Sequence, residues 1–228
     1  DYESIDIKKE YQIFLEDMQK GLDGKPGCLE MLPTYIPMND EIPSNEPVIV
    51  MDAGGTNFRV AVVYFDDNKK PVIRDFANHP MPGVREEVTR EEFLQSVVRY
   101  LEPIIHRSNK IGFCFSYAIE MLPSGDGILT RFSKEIKIQG MKGRQVGAEI
   151  LQALKKAGYT EEKKIVLLND TVSTLLGGKA AYADRQYESF IGFILGTGTN
   201  TCYIEKGKNL GKLKEYGKQY ENMLINME

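Results

Sequence analysis

Residues Val48–Phe65 read VIVMDAGGTNFRVAVVYF. Pro47 to Asp52 forms a short apolar run ending on an acid, Gly54–Asn57 (GGTN) has the composition of a turn, and Phe58 to Phe65 resumes an apolar run. That is the pattern of strand, glycine turn, strand. A second segment, Phe190–Glu205, repeats it as FIGFILGTGTNTCYIE, again with Gly-Thr-Asn at the turn. Glycine serves where backbone amides must come close to a ligand, and a nest of such amides with a threonine hydroxyl is a phosphate cradle. Asp52 adds a carboxylate beside the first turn, suited to holding Mg²⁺ through water. Ordinary hairpin turns have the same composition, so both possibilities stand. Neither turn matches G-x-x-x-x-G-K-[ST] and neither is followed by a helix, which excludes a P-loop and a Rossmann fingerprint.

Outward from these turns, Asp66, Asp67 and Asn68 lead into a third strand, about Lys70 to Phe76. Upstream, Tyr11, Phe14, Leu15, Met18 and Leu22 recur at helical spacing, with Gly21 and Gly24 as stops. The stretch LPTYIPMNDEIPSNEP (Leu32–Pro47), with four prolines, reads as extended connecting chain. Downstream, Thr89 and Glu92 form a capping box ahead of Phe93, Val97, Leu101 and Ile104 on one helical face. Strands are expected over Lys110–Ser116, Gly127–Phe132 and Lys164–Leu168, with helices over Lys142–Ala157 and Thr171–Tyr182. Strands mixed with crossover helices make an α/β protein. Three strands before the first crossover helix point to a mixed sheet. The run KGKNLGKLKEYGKQYEN (Lys206–Asn222) reads as a solvated loop.

The segment KKIVLLNDTVSTLL (Lys163–Leu176) places Asn169 and Asp170 where an apolar strand gives way to a helix. Strand ends are where α/β proteins bind ligands. An acid before Thr at a helix start is equally an N-cap, and both roles stay open.

Composition narrows the partners. With 42% hydrophobic and 27% charged residues, the 228-residue chain has an ordinary globular balance and can bury a real core. A net charge of −4 offers no basic surplus for nucleic acid. Cys28, Cys114 and Cys202 are widely spaced and form no C-x-x-C pair, which reads as reduced, buried thiols in a cytoplasmic protein. No run approaches 18 apolar residues, so no membrane segment is expected.

Taken together, the segments resemble the hexokinase family, and the resemblance covers nearly the whole chain. GLDGKPGCLEMLPTYIP (Gly21–Pro37) is similar to its N-terminal stretch and DAGGTNFRV (Asp52–Val60) to its first phosphate motif. GFCFSYA (Gly112–Ala118) and GILTRFSKE (Gly127–Glu135) resemble its sugar-binding segments. LLNDTVSTLL (Leu167–Leu176) resembles its catalytic junction, LGTGTN (Leu195–Asn200) its second phosphate motif, and INME (Ile225–Glu228) the start of a further sugar-binding segment.

The resemblance implies an actin-like/ribonuclease H-like ATPase fold with mixed sheets: a small domain over 41–168, with 1–40 and 169–228 belonging to a large domain. It implies ATP-dependent phosphorylation of a hexose, glucose first among the candidates, with Mg²⁺ and ATP as cofactors. Asp170 is then the general base toward the sugar 6-hydroxyl, with Lys134 helping to stabilise charge on the transferring group. Ser116, Ser133, Lys134, Asn169, Asn200 and Glu228 are expected to bind the hexose with Asp170. Gly54, Gly55, Thr56 and Asn57, with Gly196, Thr197 and Gly198, are expected to flank the polyphosphate, and Asp52 and Asp170 to hold Mg²⁺ through water. Arg59 is expected either to assist phosphate binding or to form a structural ion pair.

Three positions depart from the family pattern: Ala118 stands where proline is usual, Ser133 where threonine is usual, and Glu135 where glycine is common. Family members continue beyond the position of Glu228 into an adenosine-binding motif, so the chain is expected to be part of a longer protein and a poor kinase by itself. The alternatives are a non-catalytic sugar-binding or regulatory module, and another actin-like ATPase or bacterial sugar-kinase branch.

Overall fold

A computed structural model describes residues 5–37, 42–132, 136–182, 185–196 and 199–228. Two large sheets organise them, beside two short pairs, β5 (Val88–Thr89) with β9 (Ile138–Gln139) and β7 (Ala118–Met121) with β8 (Gly127–Arg131). The larger has five strands in the order β10-β6-β2-β3-β4: β2 (Val48–Ala53), β3 (Asn57–Phe65), β4 (Pro71–Pro80), β6 (Lys110–Phe115) and β10 (Lys164–Leu168). β2, β6 and β10 run parallel while β3 and β4 are antiparallel to their neighbours, the mixed sheet expected. One face packs against α2 (Arg90–Leu101) and α3 (Val146–Lys156). Alternate residues of β2 (Ile49, Met51, Ala53) and β6 (Ile111, Phe113, Phe115) enter that core, where they meet Phe93, Val97 and Leu101 of α2 and Ile150 and Leu154 of α3. Each large side chain buried this way stabilises the fold by about 1.5–3 kcal/mol.

Helix α2 starts at the expected capping box: the Glu92 amide donates to Thr89 Oγ1 at 3.2 Å, and the Thr89 amide donates to Glu92 Oε2 at 2.7 Å. Helix α3 begins at Val146 rather than Lys142, because Gly140 and Gly143 take positive φ and hold a turn ahead of it. Its N-cap residue Gln145 makes no side-chain cap. Asp126 replaces it from the hairpin of β7 (Ala118–Met121) and β8 (Gly127–Arg131), accepting the amides of Gly147 at 2.7 Å and Ala148 at 2.9 Å.

The second sheet has the order β1-β13-β12-β11, all antiparallel: β1 (Leu32–Pro37), β11 (Ile191–Leu195), β12 (Thr199–Lys206) and β13 (Asn222–Asn226). β1 corrects the expectation of connecting chain. Its prolines are tolerated because it is an edge strand, where one row of backbone groups has no neighbour to satisfy. Helix α4 (Asp170–Ala181) covers one face of this sheet through Val172 and Leu175 against Cys202 and Leu224. The run Lys206–Asn222 is not a solvated loop. It winds through 3-10 turns over Gly207–Asn209 and Gly211–Gln219, and its Leu210 is buried with Leu22, Met31 and Ile225.

Helix α1 (Ile7–Leu22), capped by Asp6, packs only through its C-terminal end. Met18 and Leu22 join the core, whereas Tyr11, Phe14 and Leu15 stay exposed. Among the described residues, no helix is long and apolar enough to cross a membrane.

Candidate active site

The three parallel strands finish in step. Asp52 is level with Cys114, Cys114 with Leu168, and Ala53 with Phe115. The residues that follow, Gly54, Ser116 and Asn169, therefore leave the sheet at the same end. The Ser116 amide donates to the Ala53 carbonyl at 3.3 Å, and the buried Tyr117 hydroxyl donates to the Gly54 carbonyl, tying two of these exits together. The first glycine turn closes on itself, with the Gly54 amide donating to the Asn57 carbonyl at 3.0 Å and the Met81 amide to the Thr56 carbonyl at 3.0 Å. Asn57 Nδ2 donates to Thr56 Oγ1 at 2.9 Å.

Asp52 and Arg59 are cross-strand partners, and Arg59 Nη1 donates to Asp52 Oδ2 at 2.6 Å. Of the two roles expected for Arg59, the ion pair is the one its geometry displays. Between β2 and β10 sits Cys114, whose thiol is pushed up to about 11, first by burial and then by the carboxylates of Asp52 and Asp170, against a hydrogen bond with Ser173. Asp52 is level with Cys114, and Asp170 follows Cys114's partner Leu168 by two residues, so the two carboxylates expected to serve Mg²⁺ are placed around one strand end. An oxygen-only pair of acids suits a Mg²⁺ ion that keeps its waters and is carried mainly by phosphate. Among the described residues, no cluster of three or more His, Cys, Asp or Glu side chains forms a dedicated metal cage.

At the β10–α4 junction the N-cap is Asn169, not Asp170: Asn169 Oδ1 accepts the Thr171 amide at 2.9 Å. Asp170 is the first helical residue, half-buried, and its Oδ1 lies at 2.9 Å from the same amide. Capping is thus met by the amide side chain, and Asp170 stands in the first turn, where the helix favours negative charge.

The second sheet brings two more expected residues to this place. Asn200 Oδ1 accepts the amides of Thr201 at 2.7 Å and Glu228 at 3.0 Å. Glu228 Oε2 accepts Asn226 Nδ2 at 2.9 Å. Glu228 borders a cleft of about 570 Å³ between β1 of the second sheet and the β7–β8 hairpin, lined also by Glu30, Ala118, Glu120, Arg131 and Lys212. Surrounding protein raises the pKa of its carboxyl above the ordinary range; Glu30 and Asp170 add to the rise, and Arg131 and the Asn226 amide oppose it.

Ser116, Asn169, Asp170 and the Asp52–Asn57 turn are therefore gathered at one sheet end, with Asn200 and Glu228 joined to one another across from it. Ser133, Lys134 and Glu135 lie outside the described residues, as do Thr197 and Gly198; of the second turn, Gly196 is exposed beside the Leu195–Thr199 pair. Thr171 and Asn226 are polar residues that the sequence reading passed over. Asn226 carried a signal, a lone amide between apolar neighbours in MLINM.

A hexokinase family model matches residues 2–180, and a second hexokinase model matches residues 190–228. The chain belongs to the hexokinase family. Hexokinase-1 of Schizosaccharomyces pombe is 33% identical over 223 residues, which cover 94% of this chain and 45% of that protein. Hexokinase-3 of Mus musculus is 28% identical, covering 87% of this chain and 22% of that protein. Among solved structures, a hexokinase from Schistosoma mansoni complexed with glucose superposes with a TM-score of 0.79 at 23% identity, over 98% of this chain and 51% of that one. The chain thus spans about half the length, or less, of the hexokinases it matches, and it shares their actin-like, ribonuclease H-like fold of mixed sheets.

Proposed function

We propose that this chain carries the hexose site and the catalytic acid of an ATP-dependent hexose 6-phosphotransferase. The observation that carries the proposal is the gathering of Ser116, Asn169 and Asp170 at the shared end of β6 and β10, with Asn200 and Glu228 brought alongside by the second sheet. Hydroxyl, amide and carboxylate groups brought together in this way suit a polyhydroxy ligand, because each sugar hydroxyl left unpaired is costly to desolvate.

MgATP, when bound, supplies the γ-phosphoryl group. Asp170 then accepts the proton of the hexose 6-hydroxyl as that oxygen attacks. Asn169, Asn200, Ser116 and Glu228 orient the ring, and the Asp52–Asn57 turn faces the phosphates. Phosphoryl transfer asks a protein mainly for positioning and charge stabilisation, which fits a site built from backbone exits and short polar side chains. The two sheets correspond to two domains, 41–168 and the flanking 1–40 with 169–228, which close over the sugar and exclude water. Lys134, Ser133, Thr197 and Gly198 complete the site on this reading. Glucose is the first candidate hexose, and the cytoplasm the expected compartment.

A coupled assay for hexose 6-phosphate tests the assignment. Asp170→Asn should lower the rate by about 10²–10⁴, the usual contribution of a positioned acid–base group. An unchanged rate refutes the role given to Asp170, and absence of saturable D-glucose, D-mannose or D-fructose binding refutes the hexose site.

A further inference from the structure

We infer that Asn226, together with Thr171, is the positioning pair that locks the hexose-facing side chains Asn169, Asn200 and Glu228 to one another across the two sheets. The inference rests on the hexose reading of those three residues and adds what holds them in register.

Asn226 closes β13 after Met223, Leu224 and Ile225, all fully buried and apolar, and is itself only 4% exposed. A buried amide at an apolar strand end is costly unless its bonding groups are satisfied. Here every one has a partner, and each partner leads to the site. Asn226 Oδ1 accepts Asn200 Nδ2 at 2.9 Å, and Asn226 Nδ2 donates to Glu228 Oε2 at 2.9 Å. The orientations are over-determined. Two backbone amides, of Thr201 and Glu228, donate to Asn200 Oδ1, so its Nδ2 must face Asn226. The Glu228 carboxylate only accepts, so the amine end of Asn226 must face Glu228.

Thr171 extends the link to the other sheet. It is fully buried in the first turn of α4, and its hydroxyl lies 2.5 Å from Asn169 Oδ1 and 2.9 Å from Asn226 Oδ1. The hydroxyl stands between two acceptors, one on Asn169 after β10 and one on β13, and its single proton bridges to either. Asn169 Oδ1 is thus held by both the amide and the hydroxyl of Thr171, which leaves its Nδ2 out of these bonds. Sugar ligands from both sheets are pre-oriented through two buried residues, neither of which is assigned contact with the sugar. Networks of this kind are cooperative, so loss of one member loosens the others.

The experiment is an NMR titration of the 228-residue chain with D-glucose, with the thermal midpoint measured for each variant. Thr171→Val keeps the shape and removes the hydroxyl; Thr171→Ser restores it. Asn226→Leu removes all three bonds of the amide side chain, to Asn200, Thr171 and Glu228. We expect Thr171→Val and Asn226→Leu to weaken glucose at least tenfold with midpoints near wild type, and Thr171→Ser to bind within twofold of wild type. A purely structural role predicts the reverse, with altered midpoints and glucose affinity retained by whatever remains folded. The inference is overturned if Thr171→Val binds within twofold of wild type, or if Thr171→Ser loses as much affinity as Thr171→Val; this pair decides even where Asn226→Leu does not fold. If the wild-type chain binds no glucose, the hexose site itself fails and the inference falls with it, a result distinct from wild-type binding that the variants leave intact.

Discussion

Gly192 sits on β11 where that strand passes under the first turns of α4. A methyl group placed on it would lie 2.4 Å from the Thr171 carbonyl oxygen and 2.9 Å from both Cβ and the backbone nitrogen of Leu175. The atoms it meets are mostly backbone, so no side chain can swing away. Relief to 3.4 Å, the near edge of ordinary van der Waals contact, requires strand and helix to part by about 1 Å. Overpacking of this kind costs about 1–3 kcal/mol, and for a domain of this size each kcal/mol lowers the midpoint by about 2–4 °C. The displaced turn carries Asn169, Asp170 and Thr171, and a misplacement near 1 Å costs about 10²-fold in turnover. Gly192→Ala should therefore melt several degrees below wild type by circular dichroism and bind hexose more weakly. Gly177, exposed on the same helix with nothing within 4 Å of a would-be methyl, is the control. Gly177→Ala should raise stability by about 0.5–1 kcal/mol with hexose binding unchanged. A Gly192→Ala protein that melts with wild type and binds hexose equally well refutes the claim that β11 sets the position of the turn that carries Asp170.

Three further outcomes are expected. Asp126→Ala should destabilise by about 1–2 kcal/mol, because it strips the Gly147 and Ala148 amides at the start of α3 of their carboxylate acceptor; urea titration showing no change would mean that water replaces it without loss. Glu228→Gln separates stability from binding. Its carboxyl has a raised pKa in the fold, so ionisation disfavours the folded state; stability from this group is present below the unfolded pKa and lost as pH rises through the folded one. At pH 7 the variant should melt at or above wild type, the advantage fading toward pH 4, while hexose affinity falls; a lower midpoint at pH 7 contradicts this. Of the three thiols, Cys28 is exposed, whereas burial pushes Cys114 up to about 11 and Cys202 up to about 12. Cys28 thus departs from the expectation of three buried thiols. Native protein at pH 8 should titrate one thiol quickly and all three after denaturation; a fast native titre of two or more overturns the shielding assigned to the half-buried Cys114 and the buried Cys202.

Much of the candidate site's placement was legible because its signals are local. The turn after Asp52 and the Asn169–Asp170 junction both sit where an apolar run stops, and a strand end announces itself within a few residues. The choice of N-cap was not legible: Asn169 and Asp170 are equally able to cap, and the direction in which the chain leaves β10 decides between them. β1 was hidden by Pro33 and Pro37, and Lys206–Asn222 by its lysines. Thr34 Oγ1 reaches the Leu224 carbonyl at 2.9 Å across 190 positions, and Lys212 Nζ reaches the Met31 carbonyl at 3.0 Å across 181. Contacts of that range leave no periodicity in a window of ten residues.

By itself the sequence determined the α/β class, the paired glycine turns, the start of α2 and the residue types available for sugar and phosphate, since each follows from near-neighbour spacing and composition. Only the tertiary structure decided that Arg59 pairs with Asp52, that Tyr11, Phe14 and Leu15 of α1 remain exposed, and that Asn226 and Thr171 join Asn169, Asn200 and Glu228. Hydrogen bonds between side chains depend on which strand ends come level and how close a helix lies to a sheet. Gly192 sets that distance for α4, through contacts with a segment 21 positions away in the chain at Thr171.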